Sequence, residues 1–157
     1  MKNKAKRQAE AEGINVRAFL NTIAALIALA GLADATYLTV IALTGETAAC
    51  GQATGCFEVL GSSYARIAGI PVAALGVLGY FAAFTCAIFA TFGSQRAWKW
   101  FMITVWTMFA ATLWLLYVQA FVLHAFCRFC LFSAALTFLL AGLVVATPPP
   151  DDSEDDE

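Results

Sequence analysis

Residues 127–146 read CRFCLFSAALTFLLAGLVVA, and Arg128 is the only charged residue in the run. An apolar stretch of about 20 residues, at about 1.5 Å of rise each, spans a bilayer core of roughly 30 Å as a helix. A Cys-x-x-Cys dithiol opens the stretch, at the predicted membrane boundary. Such a pair is a redox or metal device more often than a structural accident.

Three more stretches have the same character: about 19–43 with the single charge Asp34, about 70–92 with none, and about 97–123 with Lys99 near its start. With about 128–146 they predict an all-α integral membrane fold, a bundle of four transmembrane helices in residues 19–146. Composition agrees, since 61 % of the 157 residues are hydrophobic and 13 % charged, against about 45–50 % and about 25 % in soluble domains. The mean hydropathy is +0.76.

The net charge of −2 hides a strong segregation. Residues 1–18 form a basic leader with Lys2, Lys4, Lys6, Arg7 and Arg17, and 147–157 an acidic tail expected to be disordered after Pro148–Pro150. Basic residues without interleaved aromatics, followed by an acidic tail, exclude a nucleic-acid partner. Five basic residues precede the first span, and Arg96 and Lys99 flank the second connection; only Arg66 and Arg128 flank the others. The positive-inside rule then puts both termini in the cytoplasm of a multi-pass plasma-membrane protein. Both cysteine pairs fall on the extracytoplasmic side, where disulfides persist. The first apolar run exceeds a signal-peptide core and reads as an anchor.

The first outer connection, Thr44 to Gly69, has 26 residues and holds Cys50 and Cys56. Connections of that length tend to be functional, so it is the expected capping loop. Phe57–Leu60 and Tyr64–Ile67 are expected as short helical pieces over the bundle mouth, with Pro71 in the first turn of the second span. The short second and third connections make spans two and three, and three and four, antiparallel neighbours.

Three-residue spacing puts Cys127 and Cys130 on one helical face. The helix N-terminus and Arg128 are both expected to favour a thiolate at Cys127. The second pair reads either as an exchanging dithiol made mobile by Gly51 and Gly55, or as a stabilising loop disulfide. A zinc site of four thiolates is a further alternative. Asp34 should face the bundle, as a structural bond to the loop before a proton carrier. His124 is expected at the interface, and Cys86 as a small apolar filler. Tyr80, Trp106, Trp114 and Tyr117 read first as packing and belt residues, with Tyr80 kept as a candidate cofactor-pocket residue.

Cys50 and Cys56, then Gly61-Ser62-Ser63-Tyr64-Ala65-Arg66, Gly69-Ile70-Pro71 and Cys127-Arg128-Phe129-Cys130, together resemble the vitamin K epoxide reductase family in its bacterial form. Gly31 to Leu38 in the first span resembles the same members. The resemblance covers about residues 17–146. It implies a four-helix bundle around a quinone of the ubiquinone or menaquinone type, or vitamin K itself. It also implies an extracytoplasmic thioredoxin-fold dithiol protein as partner, expected as a separate chain because an acidic tail stands where some bacterial members carry a thioredoxin-like domain. By that analogy Cys50 exchanges with the partner, Cys56 bridges to Cys127, Cys130 reduces the quinone, and Ser62 lies by the reaction site. Ala134 stands where the animal enzymes have a tyrosine, and the second span opens without an asparagine, so quinone reduction is expected rather than epoxide reduction. The rival classes are a structural four-span protein with a stapled loop and a zinc-binding membrane module.

Overall fold

The structure, a computed structural model, describes residues 2–44, 59–67 and 69–147. Cys50 and Cys56 lie outside the described residues.

Helix α1, Lys2–Thr44, joins the basic leader and the first span in one rod of 43 residues. Nothing in it breaks the ladder. Its four threonines return their hydroxyls to the carbonyl one turn back: Thr22 to Ala18, Thr36 to Leu32, Thr39 to Ala35 and Thr44 to Val40, at 2.7–2.9 Å. A hydroxyl satisfied within its own helix can face hydrocarbon without an unpaired donor.

Helix α2, Val72–Thr91, lies against a stripe of small residues on α1, including Ala24, Ala28, Gly31 and Ala35. Small residues let helix backbones approach closely where apolar burial gives little drive. Gly31 makes the tightest use of this, because a methyl group there would overlap the Tyr80 ring of α2. Phe92, Gly93 and Ser94 then turn the chain, with Gly93 at φ +87°, a left-handed conformation that suits glycine. Ser94 caps helix α3, Gln95–Tyr117, accepting the Ala97 N–H at 3.3 Å. A π-helical turn, Val118–Val122, ends that span, and helix α4, Arg128–Ala146, completes the bundle.

Each helix packs on its two neighbours, and α4 closes the ring by returning to α1. The helices long and apolar enough to cross a membrane are Asn15–Thr44, Val72–Thr91, Gln95–Val122 and Arg128–Ala146, beside the expected 19–43, 70–92, 97–123 and 128–146. The core is two clusters. The larger runs through the bundle around Ala28, Tyr80, Phe101, Val105 and Leu140. The smaller gathers Leu38, Ile41, Val59, Ala125 and Cys127 at one end. Large apolar side chains such as Phe19, Leu78, Phe81, Trp100 and Val145 stay exposed around the bundle. This is the surface a lipid-facing protein needs.

The connection before α2 differs in part from expectation. Val59–Gly61 is helical and Ser63–Ala65 is a 3-10 turn. Arg66–Ile67 is instead a strand, β1, pairing antiparallel with β2, Ile70–Pro71. Gly69, at φ +84°, permits the tight reversal that makes pairing possible. Pro71 is the N-cap of α2, one residue before its first turn. The Arg66 guanidinium donates to the Ala42 carbonyl at 3.4 Å, tying the connection to the last turns of α1. A cation there also favours the negative end of the helix dipole.

Candidate dithiol site

Cys127 sits at the N-cap of α4, fully buried, with backbone φ −91° and ψ 115°. Its Sγ accepts the Cys130 N–H at 3.4 Å, so the sulfur occupies the place a serine or aspartate oxygen usually takes. Both thiols are free in this structure. Hydrogen bonding from the Cys130 thiol pulls the Cys127 thiol down to about 7 against its burial, and the backbone N–H groups of Cys130 and Phe129 add to the lowering. The Asp34 carboxylate opposes it from α1. The Arg128 guanidinium, expected to favour the thiolate, lies over the Phe129 ring, 5.1 Å from the centroid. The helix terminus acts through its N–H groups.

The chain reaches Cys127 by a device the sequence reading missed. Gln119, 3 % exposed within the π turn, accepts the Cys127 N–H on Oε1 at 3.2 Å. Its backbone carbonyl accepts the Ala125 N–H, also at 3.2 Å. One residue thus holds both ends of the segment that delivers the first sulfur. π turns recur where a side chain must be re-aimed. The available signal was an isolated amide in an apolar span, where an unpaired polar group is costly. His124, exposed between these contacts, has φ +50°.

Cys130 is half-buried one turn into α4, packed against the smaller cluster. Ser133 and Thr137 continue the same face of α4. Tyr80 reaches them from α2, its hydroxyl 2.8 Å from the Ser133 carbonyl and 3.0 Å from both the Ser133 and Thr137 hydroxyls. Tyr80 is therefore an interhelical clamp lying one turn beneath Cys130. Asp34 stands one turn above Gly31, the residue that packs on the Tyr80 ring. Its Oδ2 is buried with no hydrogen-bond partner, so the expected structural bond to the loop is not what occupies that oxygen.

Ser62 is half-buried and donates to the Val59 carbonyl at 2.8 Å. Val59 packs in the Cys127 cluster, which brings the Ser62 segment to the same end of the bundle. Cys127, Cys130, Asp34, the Ser62 segment and, one turn deeper, Tyr80 therefore converge. Cys50 and Cys56 fall outside the described residues.

The low thiol value predicts a distinctive titration. Alkylation of reduced Cys127 by a small thiol reagent should rise with a midpoint near pH 7, since only the thiolate reacts. In Cys130→Ala the largest lowering cause is lost, so the midpoint should move upward. Peptide-resolved mass spectrometry over pH 5–10 would measure both, and an unmoved midpoint would contradict the hydrogen-bonded pair.

A family model described as the vitamin K epoxide reductase family matches residues 22–145. The matched region contains all four spans' cores and the whole convergent site.

Proposed function

The chain belongs to the vitamin K epoxide reductase family, a family of membrane oxidoreductases, and from this we propose that it is a thiol:quinone oxidoreductase supporting disulfide formation. The electrons come from an extracytoplasmic thioredoxin-fold dithiol partner. They pass through Cys50 and Cys56 to Cys127 and Cys130, and leave to a quinone. In this reading both termini are cytoplasmic. The observation that carries it is the Cys127–Cys130 pair, a hydrogen-bonded dithiol on one face of α4 at the mouth of an apolar bundle.

The partner dithiol loses two electrons and two protons and becomes a disulfide. Exchange with Cys50 opens the loop disulfide and frees Cys56, whose thiolate attacks Cys127 and expels Cys130. When Cys50 closes back on Cys56, Cys127 leaves as a thiolate. A leaving thiol of low pKa leaves quickly, so the hydrogen bonds on Cys127 accelerate that release. Gln119 keeps the sulfur in place while its partners change.

The residues present fit a quinone. Cys130 and Phe129 pack against the apolar cluster that holds Leu38 and Ile41, and Asp34 Oδ2 is a buried acceptor without a partner. When bound, the quinone supplies a two-electron, two-proton sink. Asp34 Oδ2 holds a proton released from the dithiol, inside a site otherwise poor in bases. Ser62 orders the chain beside Cys127 through its bond to Val59.

Thiol trapping tests this reading. Turnover with a thioredoxin-fold dithiol protein and quinone, quenched by alkylation, should yield a fraction of molecules bridged between Cys56 and Cys127. A permanent Cys50–Cys56 disulfide with Cys127 never engaged would instead mean a stapled loop.

A further inference from the structure

The hydroxyl donors around the dithiol are engaged within the chain. Ser62 donates to the Val59 carbonyl, Thr39 to that of Ala35, and Tyr80 and Thr137 to that of Ser133, at 2.7–3.1 Å. Gln119 differs. It continues the buried face of α3 on which Trp98 and Val105 lie, at multiples of seven residues, and is only 3 % exposed. Its Oε1 accepts the Cys127 N–H at 3.2 Å, but its Nε2 donates no hydrogen bond among the described residues. A buried amide with both N–H donors idle is costly, so an acceptor is missing.

A second group at this end is also open. Asp34 lies on α1 between Gly31, which packs on Tyr80, and Leu38, which packs in the Cys127 cluster. Its Oδ2 is buried without a hydrogen-bond partner, and its charge reaches Cys127. Helix α4 packs on both α1 and α3, so the carboxyl and the amide approach the dithiol from its two flanks. The occupant must accept from the amide and also meet the carboxyl, which donates while it holds a proton and accepts once it has lost it.

A para-quinone satisfies both demands, because its two oxygens lie at opposite ends of one ring. Oxidised, it accepts from the amide and from the protonated carboxyl. Reduced, one hydroxyl oxygen still accepts from the amide while the other hydroxyl donates to the carboxylate. The apolar cluster against which Cys130 and Phe129 pack suits the ring itself.

We propose that Gln119 is a quinone-binding residue, its Nε2 donating to one carbonyl oxygen while Asp34 faces the other. This rests on the thiol:quinone reading and deepens it, by naming the residue that orients the ring beside Cys130.

Quinone binding to the oxidised full chain in detergent tests it, since that form holds a quinone without reducing it. Infrared difference spectra with carbonyl-labelled 2-methyl-1,4-naphthoquinone should show a carbonyl band lowered by hydrogen bonding in the parent. In Gln119→Met, which has no donor, that band should rise and binding should weaken about fivefold. Gln119→Glu at about pH 5, where a buried carboxyl stays protonated and donates, should restore both. A parent that binds no quinone would sink the thiol:quinone reading and this assignment with it. Quinone bound with the same band and affinity in parent and Gln119→Met would overturn the Gln119 assignment alone, leaving the amide to water or to the capping loop.

Discussion

Cys130→Ser should lower quinone-linked oxidation of a dithiol partner by about 10³-fold or more, the scale on which loss of a reacting nucleophile is felt. The chemistry gives the reason. A hydroxyl cannot close a disulfide with Cys127, so the two electrons have no route past that sulfur. The fold should survive, since Cys130 is a half-buried residue at the edge of the smaller cluster and serine is nearly isosteric. The variant should also accumulate a Cys56–Cys127 bridge, formed when the Cys127 thiolate attacks the Cys50–Cys56 disulfide and expels Cys50, because no Cys130 thiol remains to resolve it. Partner oxidation in stopped assays, with non-reducing peptide mapping beside it, measures both effects. Oxidation at the parent rate would remove Cys130 from the reaction.

Gly31→Val should lower the stability of the bundle strongly. Even one methyl group at Gly31 would overlap the Tyr80 ring, and overpacking of this kind costs about 1–3 kcal/mol, occasionally more. The ring cannot yield freely, because its hydroxyl is bonded to Ser133 and Thr137 on α4. Displacing it would give up bonds worth about 0.5–1.5 kcal/mol each. The damage would therefore spread from the α1–α2 contact to α4. Thermal unfolding in detergent should show a large drop in Tm for Gly31→Val and a smaller one for Gly31→Ala. Pairing Gly31→Ala with Tyr80→Leu should restore part of the loss, a coupling read from a double-mutant cycle. Strictly additive losses would mean that the two residues do not share the contact.

Much of this was legible along the chain. Four apolar runs announced four helices because a bilayer demands length and composition, which are local properties. The Cys127–Cys130 spacing announced a dithiol for the same reason, since three residues along a helix bring two side chains onto one face. The hairpin at Arg66–Pro71 was not legible. Tyr64–Ile67 reads as a helical fragment, and the extended pairing wins only because Gly69 turns the strands onto each other and Arg66 reaches Ala42. Arg128 illustrates a related failure. Its charge beside Cys127 in sequence implied influence, but the side chain lies over Phe129 instead.

What the sequence determined by itself was the all-α membrane architecture, the dithiol and the family pattern, all carried by periodicity and near-neighbour spacing. The tertiary structure alone decided who meets whom across helices. Gln119 on the Cys127 N–H, Tyr80 over Gly31 and under Ser133, Asp34 Oδ2 buried without a partner, and Trp98 and Asn21 facing one cavity are all such meetings. They depend on helix rotation and on α4 closing the ring against α1, which long-range packing sets and no short window of residues records.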